Sequence, residues 1–442
     1  MLDRFDLKVD ATDAIVAHCG SQSTNRAFYS EVSGFLGDLD GMARLPRRLR
    51  QDALAFYVAQ MHLGAIPLEN SGETVYEAIK TVPRGTAAQI SSRNERWQII
   101  QEERAQPLVG NASLRDLQDC LCDAASYLTQ GHQECWLELS GGIDSTLAGA
   151  IIRHVRGRDF KIHGLSICYP YREFALEQRY INIAADFLSA DCTMIDGTNL
   201  LPFSGWQEMS FDAVVEPSIF LAGCAQNTVL TRQVPNGALL INGNGGDVLF
   251  SDGPKGLARQ RAQPFISPSW MSQEFSARCK AAQVDLRNSI SDREAFTTGL
   301  CLDDRWTERE LIRGKGIRRS HIFLAETLPI VVANLFDSHL ENGSGKWMVK
   351  GYLNAFLPHE VLHRPRKVGY DGLYVRGVRA AAKALEKLLW DNRDYLAYCG
   401  IDAGVLKGNL SDLAHGRADG ELATISVITF LRWLQDQRHV HA

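Results

Sequence analysis

The sequence predicts an α/β fold: a parallel-sheet domain preceded by a small β-rich N-terminal domain. Three observations carry this. From residue 111 onward, short apolar strands alternate with amphipathic helices. A glycine-rich loop, Ser140-Gly141-Gly142-Ile143-Asp144-Ser145, joins one such strand to one such helix. Residues 1–105 instead hold short alternating stretches with a helix and a shorter helical turn among them.

In the N-terminal part, Phe5–Val9 and Ala14–Cys19 read as strands from their period-two pattern. Arg47–His62 reads as a helix, with apolar residues recurring at three and four. A short helix is expected to begin at Ser71-Gly72-Glu73-Thr74, a turn at Val82-Pro83-Arg84-Gly85, and a strand over Thr86–Ile90. Residues 92–110, polar and ending near Pro107 and Gly110, read as a linker. The expected domains are therefore 1–105 and 106–442.

Beyond the linker, Ser113–Leu128 is expected to be a helix with Ser113 as N-cap. Cys135–Leu139, Lys161–Cys168, Asp191–Ile195 and Ala238–Asn242 read as strands, and Thr146–Val155 and Phe174–Leu188 as helices. Such alternation implies parallel strands covered by helices. Past residue 255 the chain reads as mostly helical.

Bulk properties narrow the function. The net charge is −5, with 47 basic and 52 acidic residues, so no basic field points to nucleic acid. A nucleotide would have to be held locally. The ten cysteines include no C-x-x-C pair, and no run of about 18 apolar residues suggests a membrane span. The start, MLDRFDLKVD, lacks an apolar targeting segment, and a cytoplasmic protein with free thiols is expected.

The loop carries the chemistry. Gly141 and Gly142 let the backbone approach a ligand closely. Successive N–H groups and the following helix start form an anion nest, and Ser140 and Ser145 add hydroxyls. Asp144 would repel phosphates unless Mg²⁺ bridged them. The run is neither a Walker A sequence nor a dinucleotide fingerprint. A second strand, Leu239-Leu240-Ile241-Asn242, leads into Gly243-Asn244-Gly245-Gly246-Asp247 and delivers a second carboxylate. Alone, Asp247 would be a turn residue as readily as a ligand; with Asp144 it reads as a second Mg²⁺ ligand.

These blocks resemble the ATP-pyrophosphatase (PP-loop) enzymes, and in detail the asparagine synthetase branch. SGGIDS is similar to the pyrophosphate loop, and Gly243–Asp247 to the turn after the branch's buried strand. The resemblance implies an adenine nucleotide alpha-hydrolase-like synthetase domain that uses ATP and Mg²⁺ and forms an acyl-adenylate, releasing pyrophosphate and then AMP. It implies that the strand His163-Gly164-Leu165-Ser166-Ile167 contacts adenine through Leu165 and Ser166. A block from Gly345-Lys346-Trp347-Met348-Val349-Lys350 to Lys367-Val368-Gly369-Tyr370 is similar to the branch's lysine segment, in which Lys367 would stabilise phosphate charge.

Residues 14–90, including Thr74–Gly85, resemble only the second half of the family's Ntn-type glutaminase domain, and residue 2 is Leu2 where glutamine-using members carry cysteine. A truncated, inactive glutaminase-like domain is therefore expected, with the amine supplied by the substrate. Gly243-Asn244-Gly245-Gly246-Asp247 and the segment Gly369–Arg379 are most similar to lasso peptide cyclases. That implies macrolactam closure of a precursor peptide, with a leader-peptide-binding protein and a leader protease as partners. A ligase using ammonia or a small amine, β-lactam synthetase-like members included, and a non-catalytic peptide-binding scaffold are the alternatives. Glu173, Glu177 and Glu216 are candidate bases, and charged helix faces explain them equally well.

Overall fold

The computed structural model describes residues 5–9, 15–19, 28–30, 33, 35–37, 45, 47–62, 72–82, 86–93, 96–103, 112–211, 216–251, 253–288, 291, 296, 315–325, 327–338, 346–365, 368–369, 371–418 and 420–440. Two strands, β1 (Phe5–Val9) and β2 (Ile15–Cys19), form an antiparallel pair. β3 (Phe28–Ser30), β4 (Phe35–Gly37) and β5 (Lys80–Thr81) form a separate small sheet. β6 (Thr86–Arg93) and β7 (Arg96–Glu103) complete the first sheet in the order β1-β2-β6-β7.

Three expectations change here. The helix placed at Arg47–His62 begins only at Ala53. Before it the chain pairs with a neighbouring segment: Arg50 N–H donates to Val75 O at 3.0 Å, and Glu77 N–H to Arg48 O at 3.0 Å. No helix starts at Gly72–Thr74. Gly72 has φ 75°, and the Thr74 hydroxyl accepts from Tyr76 N–H and donates to Ile79 O, closing a side-chain turn instead. The expected linker contains β7, because backbone pairing with β6 along the hairpin outweighs the polar composition. The turn expected at Val82–Gly85 falls on residues 83–85, outside the described residues.

The helix Ala53–His62 is buried on every side, as a core helix is. It packs against the helices Gln273–Asn288 and Glu421–Val440. The Tyr57 and Phe430 rings lie 5.8 Å apart, and the Tyr57 hydroxyl is 3.3 Å from the Thr429 hydroxyl. This N-terminal helix thus shares one apolar core with the C-terminal helices.

The central sheet has five parallel strands in the order β10-β9-β8-β11-β12. They are β8 (Glu134–Glu138), β9 (Lys161–Cys168), β10 (Asp191–Asp196), β11 (Leu239–Asn242) and β12 (Arg318–His321). The helix Leu114–Thr129 starts at a capping box, Ser113 against Asp116. It and the helix Ile143–Arg156 bury Leu117, Leu121, Leu147 and Ile151 against Leu137 and Ile241. β12 was not foreseen, since Arg318-Arg319-Ser320-His321 shows no apolar pattern. The strand order reverses between β8 and β11, so the chain has its topological switch point there. Open α/β sheets bind ligands beyond the carboxyl ends of the strands at such a point.

Candidate functional site

Both glycine-rich turns leave the sheet at that switch point. The first follows β8. Leu139 N–H still pairs with Leu165 O at 2.9 Å, and the Ser166 hydroxyl donates to Leu139 O. The chain then closes on itself. Ser145 Oγ accepts from Ser140 N–H at 3.1 Å and lies 3.0 Å from Ser140 Oγ, while Thr146 Oγ1 donates to Gly142 O at 2.7 Å. Gly141 has φ 64°, and a Cβ there would sit 2.6 Å from Ile181 N. The loop therefore rests directly on the helix Ala175–Leu188, and no side chain larger than hydrogen fits. The helix Ile143–Arg156 has Gly142 as N-cap with no side-chain cap, so no capping side chain competes with a ligand for its first N–H groups.

The second turn follows β11. Asn242, 2% exposed, organises it. Its Oδ1 accepts from Asn244 N–H at 3.1 Å and lies 2.5 Å from His321 Nδ1. An amide oxygen only accepts, so Nδ1 carries the proton. Asn242 Nδ2 donates to Glu138 at 3.4 Å, and Arg319 donates to the same carboxylate at 2.8 Å. Gly245, at φ 90°, turns the chain into the short helix Gly246–Phe250. A Cβ on Gly243 would meet Ser145 N at 2.7 Å, so the two turns touch backbone to backbone.

Asp144 and Asp247 are brought side by side. One ammonium touches both: Lys346 Nζ is 2.5 Å from Asp144 and 2.6 Å from Asp247. Burial lowers the Lys346 pKa, but the two carboxylates outweigh it and hold the group above its ordinary value. The carboxylates differ sharply, Asp144 being 13% exposed and Asp247 78%. Two hard oxygen donors already gathered around one cation suit Mg²⁺, which takes one or two carboxylates together with phosphate oxygens.

These turns form one end of a cleft of about 810 Å³. Ser140, Asp144, Ser145, Leu165, Ser166, Gly243, Asn244 and Asp247 line it, whereas Gly141, Gly142, Ile143, Gly245 and Gly246 do not. Tyr169, Tyr171, Phe174, Phe220 and Tyr374 also line it, together with polar Gln178, Gln226 and Asn227. Lys367 lies outside the described residues. Lys346, not assigned a role from sequence, is the lysine between the aspartates; its signal was the Gly-Ser-Gly run just before an apolar helix start. The three candidate bases separate. Glu173 pairs with Arg376 at 2.5 Å and Glu177 with Arg364. Glu216 is buried and does not line the cleft; it is close enough to Tyr76 that its charge helps raise the phenol, after burial, above the usual range.

No family model matches the chain, and no curated protein matches it. Among solved structures, the NAD+ synthetase from Burkholderia pseudomallei is similar over 52% of this chain and 89% of that one, at 17% identity and a TM-score of 0.21. A superposition that poor leaves the reading of the site to its own residues. No described helix is long and apolar enough to cross a membrane.

Proposed function

We propose that the protein is an ATP-dependent carbon–nitrogen ligase that activates a carboxylate as an acyl-adenylate. The observation that carries this is the meeting, at one sheet switch point, of two glycine-rich turns whose carboxylates share a single lysine. In this reading the N–H groups and hydroxyls of Ser140–Ser145 hold pyrophosphate. Leu165 and Ser166 lie against adenine, and Lys346, with Lys367 by resemblance, balances phosphate charge. Asp144 and Asp247 would hold Mg²⁺, which would neutralise charge on the phosphates.

The substrate proposed is a peptide that closes on itself. A side-chain carboxylate oxygen attacks the α-phosphorus and pyrophosphate leaves. The peptide's N-terminal amine then attacks the acyl carbon, loses a proton and expels AMP. Holding both ends in one cleft makes the second step intramolecular. Two features support a peptide: the likeness of Gly243–Asp247 and Gly369–Arg379 to lasso peptide cyclases, and the aromatic side chains among those that line the cleft. A leader-peptide-binding protein and a leader protease are the partners this reading proposes. To test it, the protein is incubated with ATP, Mg²⁺ and a linear peptide bearing an N-terminal glycine and an internal Asp or Glu. The expected product is the peptide lighter by one water, with one AMP formed per ring. AMP formed only with aspartate and ammonia would overturn the peptide assignment.

A further inference from the structure

We propose that Glu177 is a positioning residue for the nucleotide loop, acting through Arg364. This rests on the adenylate reading of that loop. Glu177 lies in the first turn of the helix Ala175–Leu188. One of its oxygens, Oε1, accepts from the Arg364 guanidinium and, at 3.3 Å, from Val368 N–H. The pair is enclosed, with Arg364 6% exposed and Glu177 15%. The guanidinium also lies over the Tyr180 ring, 4.4 Å from its centroid. Its other arm, Nη1, reaches into the loop and donates to Gly141 O at 3.4 Å.

That last contact decides which way a peptide plane faces. In a trans peptide the carbonyl and the following N–H point in opposite directions. Drawing Gly141 O toward Arg364 turns Gly142 N–H the other way, where Ser140 Oγ lies 3.4 Å off on the cleft side. Gly141 has no side chain to resist a flip of this plane and sits at φ 64°, a region open to glycine from several directions. The fork of Arg364, braced by Glu177 and Tyr180, supplies the restraint that glycine lacks. Oε1 of Glu177 already serves two donors, and taking a proton would weaken its pairing with a buried guanidinium, which favours positioning over proton transfer.

The test uses the full chain and the variants Glu177→Gln and Arg364→Lys, each retaining side-chain bulk. Binding of α,β-methylene-ATP with Mg²⁺ is measured by calorimetry, and amide hydrogen exchange is followed in the peptide spanning the loop. Each variant is expected to weaken nucleotide binding about tenfold, the scale of a lost charge-assisted hydrogen bond. Loop exchange should accelerate without nucleotide while exchange in the helix Leu114–Thr129 stays as in the parent. The double variant should be little worse than either single one, since both break one unit. Unchanged binding and unchanged loop exchange in Glu177→Gln would overturn the proposal. So would unchanged binding with collapsed turnover, which marks a base. A parent protein that fails to bind the nucleotide would instead sink the adenylate reading, and the loop-exchange result would still decide whether Glu177 orders the loop.

Discussion

The two turns at the switch point do similar work and are held in opposite ways. Ser140–Ser145 is braced mainly by its own residues, with Arg364 added at Gly141 O: its key oxygen, on Ser145, is five residues from the amide it serves. The turn Gly243–Asp247 is braced from other strands, through Asn242 to His321, 79 residues away, and to Glu138, 104 residues away. The carboxylates follow the same division. Asp144 is enclosed, and Asp247 stands in solvent. The turn closed mainly by its own hydroxyls sits enclosed, with Lys346 balancing its carboxylate. The turn hung from its neighbouring strands leaves its carboxylate exposed.

The largest expected effect tests that asymmetry. Asp144→Ala leaves the enclosed ammonium of Lys346 with only the exposed Asp247, so a charge is stranded as well as a ligand lost. AMP production is expected to fall by about a thousandfold or more, a loss typical of removing a preorganised group that stabilises charge. Asp247→Ala removes a solvated carboxylate and is expected to cost roughly tenfold to a hundredfold. Steady-state AMP release under saturating ATP measures both. Equal losses, or a larger loss at Asp247, would show that exposure does not rank the two.

A smaller effect concerns the seam between the turns. Gly243→Ala drives a Cβ into Ser145 N, a backbone atom that cannot rotate away. Separating the turns is expected to cost about 1–3 kcal/mol of stability, the range for overpacking. Nucleotide affinity should fall with it, because the seam aligns both carboxylates. Urea unfolding followed by circular dichroism gives the first number and calorimetry the second. A stable variant with intact affinity would mean that the turns function separately.

The same division explains what the sequence made legible. The first turn was readable because most of its partners lie within a few residues, as were the capping box at Ser113 and β11, whose apolar run is continuous. Lys346 was not, because its meaning depends on Asp144, 202 residues away. β12 was not, because Arg319 and His321 are there to satisfy Glu138 and Asn242 and carry no apolar pattern. Ser71–Thr74 misled for a related reason: a Ser/Thr-rich helix start and a side-chain turn share the same residues, and Gly72 at positive φ selects the turn. Glu177 was visible only as an acid on a helix, and its role needed Arg364 from 187 residues further on.

The smallest expected difference is between bracing residues. Asn242→Ala strips an acceptor from Asn244 N–H and a partner from the enclosed His321 and Glu138. Leaving such groups unsatisfied costs about 1–3 kcal/mol. Ser145→Ala removes the acceptor of Ser140 N–H, but Thr146 still ties the helix start to Gly142 O, and Ser140 Oγ still faces Gly142 N–H. That loss is expected near 1 kcal/mol, the net worth of an ordinary hydrogen bond. Both are read from urea midpoints at constant slope. Should Ser145→Ala prove as damaging as Asn242→Ala, the first turn would depend on one hydroxyl as heavily as the second depends on its strand neighbours, and the distinction between self-braced and strand-braced turns would fail.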